Sequence, residues 1–257
     1  MQRTPPPPAP RPDWAYFLDV DGTLIDIADT PDAVHVDAAL LDLIARLHRA
    51  SGGAVALVSG RAVADLQRRL GKLRLPLAGQ HGLERRDAAG KLHLQRTLPA
   101  SKRAIKAALA PALARHPGLL LEDKGLALAL HYRLAPHLAA YAQRLMARLA
   151  AATGPGLELQ RGKRVAELKP AGVDKGTAVT AYLAEAPFKD RRPVFIGDDL
   201  NDEHAFAEVN RRGGVSIKVG RGASCARCRL RDVAAVRTWL MAALEVGNEA
   251  PCFIAAK

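Results

Sequence analysis

The chain has 257 residues, 49% hydrophobic and 25% charged, with a formal net charge of +12. That balance belongs to a globular protein large enough to bury a real core, and it excludes a wholly disordered chain. No run of about 18 apolar residues appears, so neither a spanning helix nor a membrane partner is expected. The first residues lack a charged-then-apolar leader. Cys225, Cys228 and Cys252 are too few for a disulfide framework, so a reducing, cytoplasmic setting is expected.

In chain order, residues 1–12 carry Pro5 to Pro8, Pro10 and Pro12 and read as a disordered, extended tail. Order begins near Trp14. Residues 15–20 read as a buried strand ending in acid. Leu40, Leu43, Ile44 and Leu47 then recur at helical spacing within 37–50, and Gly52-Gly53 stops that helix. Residues 54–58 form a second apolar strand, followed at once by Ser59-Gly60-Arg61 and a helix running through Leu66 to Leu70. Strand, helix, strand, helix is the signature of a parallel sheet with helices on its faces. After residue 170 the pattern returns: helix over 175–185, strand over 193–196, helix over 202–209, strand over 214–219 and helix over 232–246.

The middle of the chain differs. Residues 101–115 and 136–150 read as helices, 125–133 and 164–169 as strands. The expected fold is therefore α/β, a Rossmann-like doubly wound parallel sheet core with an inserted α+β module. The charge is uneven as well. Arginines number 27 against 11 lysines, and Pro99 to Pro170 holds 12 Lys/Arg against 4 Asp/Glu. A positive balance invites an anionic partner: a nucleic acid, an acidic surface or a phosphorylated small molecule.

Four stretches can carry chemistry. Asp19-Val20-Asp21-Gly22-Thr23 closes the first strand, where side chains two apart project on similar sides. Carboxylates crowded at the carboxyl end of a strand, the ligand end of open α/β sheets, call for a cation or a shared proton. Gly197-Asp198-Asp199-Leu200-Asn201-Asp202 follows another apolar strand. Its oxygen donors, without His or Cys, point to Mg²⁺ rather than Zn²⁺. Ser59 offers a hydroxyl at a helix approach, where a phosphate oxygen could be held. Lys175, opening a helix in Val173-Asp174-Lys175-Gly176, could neutralise charge on a transferring phosphoryl group.

In this order the four pieces resemble the haloacid dehalogenase superfamily of phosphohydrolases. The resemblance is closer still to trehalose-6-phosphate phosphatases. It runs from about Asp13 to Leu244 through Val58-Ser59-Gly60-Arg61, Gly79-Gln80-His81-Gly82-Leu83-Glu84-Arg85-Arg86, Leu121-Glu122-Asp123-Lys124-Gly125, Ala129-Leu130-His131-Tyr132-Arg133 and Glu167-Leu168-Lys169-Pro170. Asn201, where such enzymes often carry Thr, and the region around Ser224-Cys225 depart from the pattern without removing a carboxylate. The resemblance implies a phosphohydrolase core over 13–98 and 171–257, with residues 99–170 as a cap. It implies Asp19 as nucleophile, Asp21 as acid and base, Ser59 and Lys175 on the transferring oxygens, and Mg²⁺ held by Asp19, Asp21 (through its backbone carbonyl), Asp198 and Asp202. Asp202 could instead orient Lys175. Sugar contacts fall to Glu122, Lys124, Arg133, Lys163 and Glu167, while Asp199 has no assigned role.

The implied reaction is hydrolysis of trehalose 6-phosphate through an aspartyl-phosphate, by a monomer that pairs functionally with trehalose-6-phosphate synthase. Two readings compete with it. One is a related sugar-phosphate phosphatase, such as a sucrose-phosphate enzyme. The other is a basic nucleic-acid-binding protein, against which stand an aromatic content of 4% and the lack of any nucleic-acid motif, so no specific nucleic-acid partner is expected. His81 reads as a structural histidine, Cys225-x-x-Cys228 as chance spacing, and Trp239 as core packing.

Overall fold

A computed structural model describes residues 4–27, 36–95, 101–162 and 164–245. Ala15–Leu18 (β1), Val55–Val58 (β2) and Pro193–Gly197 (β10) are fully buried runs. They alternate between two apolar layers. Tyr16, Leu18, Val55, Leu57, Val194 and Ile196 face one core, while Ala15, Phe17, Ala56, Val58 and Phe195 face the other. A strand buried on both faces has no polar side to show, which is why each reads as an unbroken apolar run.

The first core is covered by Ala38–Ala50 (α1), Val63–Leu70 (α2) and Val233–Glu245 (α7), the second by Lys175–Leu183 (α5) and Glu203–Arg211 (α6). The spacing of Leu40, Leu43, Ile44 and Leu47 gives α1 its buried face, and the Asp37 carboxylate accepts from the Leu40 N–H at 2.7 Å to start it. Phe17 stacks on Phe188 with ring centroids 5.3 Å apart. Burying a side chain of this size contributes about 1.5–3 kcal/mol.

The large sheet has the order β12-β11-β10-β1-β2-β3-β4-β5, where Leu77–Gly79 is β3, Glu84–Arg86 β4, Leu92–Leu94 β5, Val215–Val219 β11 and Cys228–Leu230 β12. It is parallel from β12 to β3 and ends in two antiparallel strands. The doubly wound parallel core is thus present, extended at one edge by a hairpin. The sequence pattern does not announce β4, β5 or β12.

A second sheet, antiparallel and ordered β6-β7-β9-β8, is built from Leu120–Asp123 (β6), Leu128–His131 (β7), Leu157–Gly162 (β8) and Val165–Pro170 (β9). Ser101–Arg115 (α3) and Ala139–Thr153 (α4) accompany it, and Leu109, Leu128, Leu130, Met146 and Leu168 form its own apolar core. A smaller cluster of Leu83, Leu126, Ala127 and Val173 joins the two units.

The tail differs from its sequence expectation. Its backbone is anchored: the Arg229 N–H donates to the Pro5 carbonyl, the Trp239 indole to Pro8 at 2.9 Å and the Tyr16 hydroxyl to Arg11 at 2.6 Å. These contacts lay the prolines beside the edge strand β12 and helix α7. Among the described residues, no helix is long and apolar enough to cross a membrane.

Candidate active site

Three motif-bearing turns leave the carboxyl ends of adjacent strands. Asp19 follows β1, Ser59 follows β2 and Asp198 follows β10, with β1 between the other two. This places residues nearly 180 positions apart at one mouth. Asp19, Asp198 and Asp202 each offer a carboxylate oxygen within 4.8 Å of the others. The turn after β1 is tight: Gly22 has φ +83°, and a Cβ there would lie 2.3 Å from Asp198 Oδ2. Only glycine permits both the left-handed backbone and that approach.

Lys175 lies in this cluster. Helix α5 begins with it, and the Asp174 side chain caps the helix by accepting from the Thr177 N–H at 2.8 Å. The buried Lys175 ammonium donates to Asp19 Oδ1 and Asp202 Oδ1, each at 2.6 Å. Burial opposes its charge, but the two carboxylates outweigh burial and hold the ammonium above the ordinary lysine range. For Asp19 burial dominates. Lys175 favours its ionised form, yet burial, with Asp202 and Asp198 beside it, pushes its carboxyl well above the usual carboxylate range. Asp19, Asp198 and Asp202 thus crowd together, with Lys175 between two of them and the buried Lys218 ammonium on the Asp198 carbonyl, and the all-oxygen donor set suits a hard divalent cation.

Asp202 is fully buried, and both its oxygens are engaged, Oδ1 by Lys175 and Oδ2 by the Asp199 N–H at 2.8 Å. It is therefore better placed to orient Lys175 than to offer a vacant ligand position. Asp199 in turn caps the short turn over Leu200–Asp202. Thr23 donates to Asp19 Oδ2 at 3.1 Å, so the Asp19 carboxylate is held from both ends. Ser59 is buried, and its hydroxyl oxygen accepts from the Arg61 N–H at 3.2 Å.

The Asp21 side chain is not in the metal cluster. The Arg61 guanidinium grips it twice, Nε to Oδ2 and Nη2 to Oδ1, both 2.7 Å. The cleft of about 560 Å³ above this mouth is lined by Asp19, Asp21, Ser59, Lys175 and Asp198 on one side and by Glu122, Lys124, Arg133 and Glu167 on the other. Every sequence-chosen residue except Asp202 and Lys163 thus lines one cleft. Asp202 lies fully buried beneath it, and Lys163 lies outside the described residues.

The two walls touch. Lys124 Nζ donates to Glu167 Oε2 at 2.8 Å and to the Gly60 carbonyl at 3.4 Å, while His81 Nε2 lies 3.9 Å from Glu167 Oε2. Glu122 pairs with His131 at 2.7 Å, a contact that leads in holding its carboxyl below the usual range. His81 has φ +60° and packs against Gly60. Burial above all, then Lys175, Lys124 and Lys169, depresses its imidazole far below the ordinary histidine value. Sequence reasoning gave Arg61, Thr23 and His131 no role, although all three stand inside the quoted motifs. For Arg61 the available signal was Asp65 four positions on, an opposite charge within reach of the turn that leads into α2.

In fold the chain matches a phosphatase of the haloalkanoate (HAD) enzyme superfamily from Bacteroides thetaiotaomicron, with a TM-score of 0.63 at 17% identity, covering 90% and 94% of the two chains. The trehalose-phosphatase family profile matches residues 17–232. The chain is 47% identical over 231 residues to the trehalose-6-phosphate phosphatase of Escherichia coli K12, covering 88% of this chain and 85% of that one. It is 34% identical to the bifunctional trehalose-6-phosphate synthase/phosphatase of Thermoproteus tenax, over 87% of this chain and 31% of the larger protein. In fold it matches the C-terminal domain of the Candida albicans trehalose-6-phosphate phosphatase with a TM-score of 0.81 at 22% identity, covering 90% and 92% of the two chains. The chain belongs to the trehalose-phosphatase family.

Proposed function

We propose that the chain hydrolyses trehalose 6-phosphate to trehalose and inorganic phosphate, the last step of trehalose biosynthesis, with Mg²⁺ as cofactor. The observation that carries this reading is the meeting of Asp19, Asp198 and Lys175 beneath a cleft whose far wall presents Glu122, Lys124, Arg133 and Glu167. In this reading residues 13–98 and 171–257 are the catalytic core, and residues 99–170 are a cap that closes over the substrate.

Asp19 is the nucleophile. One of its oxygens forms a bond to phosphorus, the bond from phosphorus to the sugar oxygen breaks, and that oxygen takes a proton from Asp21. Water then attacks the aspartyl-phosphate. Its proton passes to Asp21, the bond between phosphorus and Asp19 breaks, and phosphate leaves. Lys175 and Thr23 fix the Asp19 carboxylate, and Lys175 also stabilises charge on the transferring oxygens together with Ser59. Asp202 keeps Lys175 in place. Asp19, Asp198 and the backbone carbonyl of Asp21 would hold the metal, with Asp202 contributing through water. When bound, Mg²⁺ supplies charge neutralisation that lets a carboxylate approach a phosphate dianion.

Glu122, Lys124, Arg133, Lys163 and Glu167 bind the leaving disaccharide, whose many hydroxyls suit charged hydrogen-bonders, and the positive cap draws in the dianion. The bifunctional relative supports functional pairing with the synthase that makes this substrate. Phosphate release across a panel tests the assignment. Trehalose 6-phosphate should be the preferred substrate, and only with Mg²⁺. Equal or faster turnover of sucrose 6-phosphate or glucose 6-phosphate would overturn it.

A further inference from the structure

We infer that Arg61 is a positioning residue that aims the Asp21 carboxyl group, and that Asp65 anchors Arg61 in turn. The inference rests on the reading of Asp21 as proton carrier.

All three guanidinium nitrogens donate to carboxylates. Nε and Nη2 take the two oxygens of Asp21 at 2.7 Å, and Nη1 takes Asp65 Oδ2 at 3.0 Å. A planar fork on a carboxylate fixes direction as well as distance. Arg61 is itself fixed. Its side chain is only 12% exposed, its N–H donates to Ser59 Oγ at 3.2 Å, and its carbonyl accepts from Gln80 at 2.8 Å. Asp65 is braced further by Arg69 Nε at 2.9 Å and by Arg68.

The Asp21 side chain needs such a brace. It stands on a turn whose next residue has φ +83°, and it remains one-third exposed at the cleft. Each oxygen of a carboxylate accepts more than one hydrogen bond. Asp21 can therefore exchange a proton with the leaving oxygen or with water while Arg61 keeps its aim. The competing role for an arginine at this mouth is direct phosphate binding. The fork that faces the cleft, Nε with Nη2, is spent on the two Asp21 oxygens, which argues for positioning instead.

The two roles separate by leaving group. The kcat/KM value covers steps through formation of the aspartyl-phosphate. A sugar oxygen needs a well-aimed acid in those steps, whereas p-nitrophenolate leaves without one. In Arg61→Ala, kcat/KM for trehalose 6-phosphate should fall about 10²-fold or more, in the range of lost general acid catalysis. For p-nitrophenyl phosphate it should fall less than about tenfold, and inhibition by inorganic phosphate should stay within about threefold. Arg61→Lys, which keeps charge but loses the fork, should recover part of the loss. Asp65→Asn should show the same pattern more weakly while folding normally.

Equal loss on both substrates with weakened phosphate inhibition would assign Arg61 to phosphate binding and overturn the proposal, as would no loss on either. Asp21→Asn serves as the control. If it spares trehalose 6-phosphate, the reading of Asp21 itself is wrong. If it shows the leaving-group pattern and Arg61→Ala does not, only the positioning role fails. Adding Arg61→Ala to Asp21→Asn should cost nothing further.

Discussion

Replacing Lys175 with methionine removes the ammonium bonded to both Asp19 and Asp202 and leaves a side chain of similar length. Both bonds are 2.6 Å, and none of the three side chains is more than 6% exposed. Stripping one partner from a buried ion pair costs about 3–5 kcal/mol, because the remaining charge stays buried without its counterion. Here two carboxylates would remain, with Asp198 nearby, so the upper part of that range applies at neutral pH in a chelator. The loss should depend on pH. Asp19 titrates above its unfolded value of 3.8, so its stabilising contribution is fully present below that pH and declines as pH rises through the folded value. Without the ammonium this decline steepens. Lys175→Met should therefore approach the wild type near pH 4 and diverge from it toward pH 7. Urea unfolding in EDTA at several pH values measures the difference, and phosphatase activity should fall about 10²–10³-fold, as for loss of a preorganised donor. A variant within 1 kcal/mol of wild type at neutral pH, or a deficit that does not change with pH, would refute the buried-pair argument.

Three further outcomes follow from the same geometry. His81 titrates below its unfolded value of 6.5, so folding loses stability as pH drops below that point, by up to about 1.4 kcal/mol per pH unit from this one group. His81→Asn, which tolerates the left-handed backbone, should remove that component from denaturation measured at pH 5 and pH 7. An unchanged slope would contradict the buried neutral imidazole. Gly22→Ala should cost about 1–2 kcal/mol in backbone strain. It should also weaken Mg²⁺ or Mn²⁺ binding in calorimetry, because the new methyl would collide with the Asp198 carboxylate; unaltered affinity would remove Asp198 from the metal site. Glu167→Gln breaks the pair with Lys124 and should raise KM for trehalose 6-phosphate about tenfold or more, while leaving p-nitrophenyl phosphate unaffected. Equal effects on both substrates would place Glu167 outside sugar recognition.

The core was legible because its chemistry sits where the strand pattern is strongest. Strands β1, β2 and β10 are apolar runs that end at Asp19, Ser59 and Asp198, so the run and the motif could be read together. Strand β4 is Glu-Arg-Arg, with no apolar alternation, and exists because its backbone pairs with β3 and β5. Strand β12 completes its edge by pairing with β11. Such strands are set by tertiary partners rather than by local pattern.

The same divide runs through the site. Each carboxylate was visible, but Arg61 and Asp21 lie 40 residues apart and meet only because β1 and β2 are neighbours. The Pro-rich tail looked free because prolines cannot join a ladder as donors. Their carbonyls still accept, and Pro5 and Pro8 do so. His81 read as a structural residue. Its place between Gly60 and the opposite wall became visible only when the second sheet was set over the first.

The measurement that bears most directly on the chemistry is capture of the covalent intermediate. The enzyme, rapidly quenched during turnover of trehalose 6-phosphate labelled on phosphorus, should carry label on the peptide containing Asp19. That label should vanish in Asp19→Asn and when the divalent ion is chelated. Label on another residue, or full turnover by Asp19→Asn, would contradict the account.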